Sequence, residues 1–163
     1  MTPSISWVDP KRWNELLTKA GLQPVEGWDE EAAEPTVRSK PTVWIERLLE
    51  RAAGLEGAQT AFVVDAHGVL LARVATGDAS ADGTVEELAG TAADLIEVLE
   101  ARRRRGDAPL QGMAIVSLGG ARRLHVIEAY NAHQRFALGV VAERTLTDRE
   151  LVDLQLRLGQ ALG

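Results

Sequence analysis

Covalent catalysis by a side chain needs a hydroxyl or thiol beside a base, and this chain offers no such pairing. It contains no cysteine. Ser4, Ser6, Ser39, Ser80 and Ser117 have no base close in sequence, and no G-x-S-x-G elbow presents any of them. His67 is expected in a hairpin turn, His125 in a strand and His133 in a loop. None has the H-x-x-x-H spacing that puts two imidazoles on one helix face for a metal. They read as two solvated turn histidines and one sheet-surface histidine. Glu86–Glu87 and Asp94–Glu97 have the chemistry of a general acid and base, but at helical positions they read as capping and a solvated face. Gly119-Gly120 before Arg122-Arg123 joins permissive backbone to cations, as a phosphate cradle would. No helix N-terminus follows, so a hairpin turn is the simpler account. There is no G-x-x-x-x-G-K-S/T, so the chain is not itself a P-loop GTPase. The expectation is no catalytic residue, no metal and no cofactor.

What remains is the chemistry of contact. Arg102 to Arg105 form the one dense basic cluster. It reads as a complement to the carboxyl end of a helix dipole, or as a contact for an acidic partner, a phosphate or a membrane surface; four arginines exceed what the dipole requires. Trp7, Trp13 and Trp28 are costly to leave in water and are typical interface anchors. The alternative is that their segment folds back and covers its own domain, and both readings stand. Trp44 reads as the first core anchor of its helix.

Composition narrows the class. With 163 residues, 45% of them hydrophobic, the chain can form one domain with a sizeable core. A net charge of -6 argues against general affinity for nucleic acid. No apolar stretch approaches the roughly 20 residues that span a bilayer. The start, MTPSISWVDPKRW, lacks a secretory pattern, and Thr2 and the absence of a C-terminal Cys remove the lipidation motifs. A cytoplasmic protein without membrane insertion is expected.

The elements that position these residues fall into two parts. Residues 1–40 form an extension. Asp9 caps a short helix with Pro10 at its first position, Trp13, Leu16, Leu17 and Ala20 at helical spacing, and Gly21 at its end. An acidic linker follows, with Glu26, Asp29, Glu30, Glu31 and Glu34 around Trp28. Residues 41–163 form the main domain. Val43, Trp44, Leu48, Leu49 and Ala52 mark a helix that ends at Gly54. Two apolar strands, Ala58 to Ala66 and Val69 to Ala75, meet at Asp65-Ala66-His67-Gly68, where Gly68 suits positive φ. Thr84-Val85-Glu86-Glu87 is a capping box opening a helix through Leu88, Ala92, Leu95, Ile96 and Leu99. Strands Gly112 to Leu118, Arg122 to Ala129 and Arg135 to Ala142 follow, and Thr147-Asp148-Arg149-Glu150 caps the last helix. Runs such as Phe62-Val63-Val64 and Ala114-Ile115-Val116 are apolar at consecutive positions, so both sheet faces are expected to be covered. The middle helix covers one face, and the first and last helices the other.

This order resembles the roadblock/dynein-light-chain family, including its MglB-type bacterial regulators of small GTPases. The residues that carry the resemblance are Leu55-Glu56-Gly57, the strand Ala61 to Val64, the Asp65 to Gly68 hairpin, the return strand Val69 to Ala72 and the long helix Thr84 to Arg105. It spans residues 41 to 163. The resemblance implies an α+β fold, a five-stranded antiparallel sheet in the order α-ββ-α-βββ-α. It also implies a homodimer through the third strand, with Met113, Ala114, Ile115, Val116 and Ser117 as the seam. A Ras-like GTPase, or another polarity or motility protein, would then bind over the middle helix, with the contact face expected at Glu87, Thr91, Asp94, Glu97 and Arg102. Trp7, Trp13 and Trp28, read from their residue type and not from the resemblance, are further candidate partner contacts.

Two rival readings accompany it. One is a scaffold, or a heterodimer partner of another roadblock protein, without GTPase contact. The other is a profilin-like or PAS-like small-molecule sensor, which needs a cavity between sheet and helix. The small residues Ala89, Ala92, Ala93, Ala137 and Gly139 favour close helix–sheet packing instead.

Overall fold

The computed structural model of the chain describes residues 4–19, 40–75, 82–106, 112–131 and 134–162. Ala20, Gly21, Trp28, the acidic linker, Ser39, Ser80 and His133 lie outside the described residues. The elements run β1 (Ser4–Trp7), α1 (Pro10–Lys19), α2 (Lys40–Ala53), β2 (Ala58–Asp65), β3 (Leu70–Ala75), α3 (Asp82–Arg104), β4 (Met113–Gly119), β5 (Arg122–Asn131), β6 (Gln134–Ala142) and α4 (Asp148–Leu162).

Local chemistry accounts for most of these boundaries. Asp9 caps α1 by accepting the Arg12 N–H on Oδ1 at 3.0 Å. At α4 the capping box closes both ways: Glu150 N–H donates to Thr147 Oγ1 at 3.2 Å, and Thr147 N–H donates to Glu150 Oε1 at 2.9 Å. In the β2–β3 turn, Asp65 Oδ1 accepts the N–H groups of His67 and Val69, both at 2.9 Å, and Gly68 takes φ 82°. Gly119 and Gly120, at φ 106° and 58°, make the β4–β5 turn that their sequence predicts. The middle helix departs from expectation. It begins at Asp82, so Thr84 lies inside its first turn instead of capping it.

All six strands form one antiparallel sheet in the order β1-β3-β2-β6-β5-β4. The expected five-stranded sheet is corrected to six. The added strand is β1, which pairs Ser4–Trp7 with Ala72–Ala75 along an edge that would otherwise be open. The periodicity of SISW is too short to mark a strand by itself, and β1 exists because β3 offers it a row of hydrogen-bonding partners.

Each face carries a core. On one, α3 places Val85, Leu88, Ala92 and Ile96 against Phe62, Leu124, Val126, Ala137 and Val141. On the other, α1, α2 and α4 place Trp13, Leu49 and Leu154 among their apolar residues against Ala61, Val63, Ile127, Leu138 and Val140. Ile45 is fully buried there, while Trp44, expected as the anchor, only borders that core. The small residues work as close-packing positions. A Cβ on Gly139 would lie 2.3 Å from the Phe62 ring, so the ring occupies the space that a larger residue would fill. Coverage of both faces holds for β2, whose last six residues are all buried. It fails for β4, where exposed and half-buried residues alternate. That strand extends past the helices, so one of its faces meets water.

Candidate interaction surface

The expected contact helix presents an outward face. Glu87, Asp94, Glu97 and Arg102 are exposed, and Thr91 is half-buried, its hydroxyl donating to the Glu87 carbonyl oxygen at 3.2 Å. Val98 is 53% exposed in the middle of this face. The 3.6-residue repeat therefore separates the buried stripe of α3 from a charged one, acidic toward its start and basic toward its end.

Arg103 departs from the rest of the basic cluster. Its guanidinium donates to Glu100 Oε2 at 2.7 Å and pairs with Glu128, a fully buried carboxylate on β5. It anchors the end of α3 to the sheet, while Arg102, Arg104 and Arg105 stay exposed. Four consecutive arginines at a helix end gave no sign that one of them turns inward.

The strand expected at the seam, β4, is an edge strand. Met113 is 40% and Ile115 44% exposed, and Ser117 is exposed as well. Ala114 and Val116 are half-buried toward α3. The five residues thus lie together on an uncovered strand beside the contact helix.

The tryptophans are placed differently from the partner reading. Trp13 is 1% exposed, donates its indole N–H to Thr42 Oγ1 at 2.9 Å and meets the Phe136 ring edge-on at 6.1 Å between centroids. Trp7 packs on Trp13 with its ring tilted by 37° and the centroids 5.3 Å apart, and its indole N–H donates to Glu46 Oε2 at 3.3 Å. For these two residues the segment folds back onto its own sheet. The division at residue 40 marks a change of composition, but β1 and α1 share a sheet and a core with the residues beyond it.

Two polar groups central to the fold escaped the sequence. Asp65, beyond its turn bonds, is buried and accepts from Arg12 Nε at 3.0 Å, tying α1 to the β2–β3 hairpin. The turn motif marked Asp65, but nothing marked Arg12 as its partner. His125 was expected on the sheet surface and is fully buried. Its Nε2 accepts the Leu146 N–H at 2.9 Å, which leaves the proton on Nδ1 to be donated to the Val140 carbonyl at 3.1 Å. The neutral ring thus pins the segment leading into α4, and burial pushes its pKa below the ordinary histidine value.

The sign of the pH dependence follows. His125 titrates lower in the folded chain than in the unfolded one, so its contribution is complete above about pH 6.5 and declines as pH falls below that toward the folded pKa. A second loss comes at lower pH. The hydrogen bond from Arg144 holds Glu150 at about 2, so its contribution declines as pH falls from about 4.5 toward 2. Urea unfolding between pH 8 and pH 5.5 is expected to show falling stability in the native chain. His125→Phe is expected to abolish that slope and to cost about 1–3 kcal/mol at pH 8, because the Leu146 N–H loses its acceptor.

No group of three or more His, Cys, Asp or Glu residues among the described residues could hold a metal ion, and no described helix is long and apolar enough to cross a membrane. No family model and no curated protein sequence matches the chain. Solved structures do. The gliding protein MglB from Thermus thermophilus is 23% identical with a TM-score of 0.58, the match covering 79% of this chain and 94% of that one. An MglB with tetrameric arrangement aligns at 23% identity and TM-score 0.58, over 79% and 93% of the two chains. Myxococcus xanthus MglB aligns at 20% identity and TM-score 0.50, over 72% and 88%. The chain therefore has the roadblock-type fold of the MglB structures, as its element order implies.

Proposed function

We propose that this roadblock-type chain is a regulatory or scaffolding protein that forms a homodimer through β4 and binds a Ras-like small GTPase over the outer face of α3. The observation that carries the reading is the adjacency of two uncovered features: an edge strand without charge and a long helix whose outer face holds Glu87, Asp94, Glu97, Val98 and Arg102. An exposed apolar residue ringed by charges of both signs suits a protein partner better than a small molecule. If the chain accelerates GTP hydrolysis, the reading that the family resemblance supports is that it repositions groups already in the GTPase.

The packing of Phe62 over Gly139 weighs against the sensor reading, since it fills the space between sheet and α3 at that point. The scaffold reading shares the same edge and differs in the partner of α3, while the heterodimer reading differs in the partner of β4.

Titrating a candidate GTPase in its GDP and GTP forms tests the proposal. Nucleotide-dependent binding is expected, and Asp94→Lys combined with Glu97→Lys is expected to weaken it at least about tenfold, or about 1.4 kcal/mol. Undetectable binding to both forms removes the GTPase assignment.

A further inference from the structure

On the sheet face that carries α1, α2 and α4, the helical layer stops before the sheet does. The last helix packs on β5, with α2 as its neighbour on one side. On its other side the sheet continues into β4. Met113 and Ile115 stand on this face. They lie directly opposite Ile127, which belongs to the core beneath these helices, and His125, which bonds the segment before α4. Both are exposed.

A matching wall comes from α4. Asp153 turns toward α2, accepting from Arg51 Nε at 2.6 Å, and Leu154 turns down onto the sheet. The 3.6-residue repeat then puts Val152, Gln155 and Gly159 on the flank toward β4, with Leu156 on its shoulder. Val152 is exposed and Leu156 is 64% exposed, where a surface helix ordinarily carries polar residues. Four of the six large apolar side chains exposed among the described residues thus gather around the step from α4 down to β4. On the same flank the Gln155 amide nitrogen is buried with no hydrogen-bond partner among the described residues. A buried donor without an acceptor costs stability, and an arriving acceptor removes that cost.

We propose that the α4–β4 step is a docking site for an amphipathic helix of a partner protein, apolar on one face and acidic along its flank. Shape selects the helix. Val152 and Leu156, four positions apart, form a ridge, and a Cβ on Gly159 would meet nothing within 4 Å, so a hollow lies beside that ridge. Charge selects the acidic flank. Arg123, on the same strand face as His125, spends its guanidinium on Ser117 Oγ and the Gly120 and Arg122 carbonyls, and Arg149 is exposed on the first turn of α4. Neither has an acidic partner among the described residues, and the exposed Asp148 offsets only part of their charge. A second copy joined through β4 does not fill the step. Edge pairing lies in the plane of the sheet and leaves its faces open. It sets the two α4 helices three strand spacings apart, about 14 Å, beyond the roughly 8–10 Å at which helices pack. The site lies across the sheet from α3, so it stands or falls apart from the GTPase reading.

The probe is a fluorescent synthetic peptide of roughly 18 residues, long enough for partial helicity in water. It carries leucines at helical spacing on one face and glutamates beside them. Its binding to the native chain is followed by fluorescence anisotropy, next to a peptide with lysines in place of the glutamates and one of scrambled order. The glutamate peptide is expected to bind at least about tenfold more tightly than either control. Val152→Gln combined with Leu156→Gln is expected to weaken it at least about tenfold. Both side chains are exposed, so the variant is expected to keep the native circular dichroism spectrum and urea midpoint. Gln155→Leu is expected to raise the urea midpoint while weakening the peptide about threefold, because the donor that binding would satisfy is gone. Absent binding, equal binding of all three peptides, or undiminished binding to the double variant overturns the site. A native chain that sediments as a tetramer, reduced to a dimer by the double variant, shows that a second copy covers the step and overturns the partner helix.

Discussion

Trp13→Ala is expected to lower the unfolding free energy by about 3–5 kcal/mol, the range for truncating a buried large aromatic. The indole is almost fully enclosed between α1, α2 and β6, with its N–H satisfied by Thr42 and its ring against Trp7 and Phe136. Truncation leaves a cavity bounded by three elements that cannot all collapse into it, and it removes the indole donor from Thr42 Oγ1. The loss extends to β1, because Trp7 packs on the ring that disappears. Urea unfolding followed by circular dichroism measures the change. A value below about 1 kcal/mol would show that residues 4–19 unfold separately from the sheet. Thr42→Val separates the contributions, since it removes the acceptor and keeps the volume; it is expected to cost about 1–3 kcal/mol.

Arg103→Ala is expected to cost a similar amount, about 3–5 kcal/mol, because it removes the cation from a carboxylate that has no access to water. The energy at stake is chiefly the penalty of leaving Glu128 charged in the interior; the intact pair contributes far less. Replacing both partners together, Arg103→Met with Glu128→Leu, is therefore expected to recover most of the stability, and the double-mutant cycle measures the coupling. If Arg103→Ala changes stability no more than Arg104→Ala, whose side chain is largely exposed, the pair does not hold α3 to β5. The experiment also bears on the α3 surface, since this anchor orients the end of the helix that carries Arg102.

These two sites show where the sequence is informative and where it stops. The caps of α1 and α4 and the Asp65–Gly68 turn were legible because each is a contract between residues at most four positions apart. So were the apolar faces of α2 and α4, whose period is written in the chain. The candidate site was legible in outline: β4 was recognisable as an uncharged apolar strand, and Glu87, Asp94, Glu97 and Arg102 of α3 fell at outward positions. Its edge position came from the family resemblance, and the exposure of one of its faces was missed. An apolar run does not say whether a helix lies above it.

The sequence by itself determined the order of elements from α2 onward, the Asp65–Gly68 and Gly119–Gly120 turns and the alternation of buried and charged helix faces, all set by neighbours along the chain. The tertiary structure alone decided that the leading segment adds a sixth strand, that Trp13 reaches Thr42 across 29 positions, Arg12 reaches Asp65 across 53 and Arg103 reaches Glu128 across 25. It alone decided that His125 lies buried. Such contacts join residues whose meeting depends on how whole layers pack. A tryptophan, an arginine or a histidine carries the same local signal whether it faces water, a partner or its own core, and only the assembled sheet and helices select among the three.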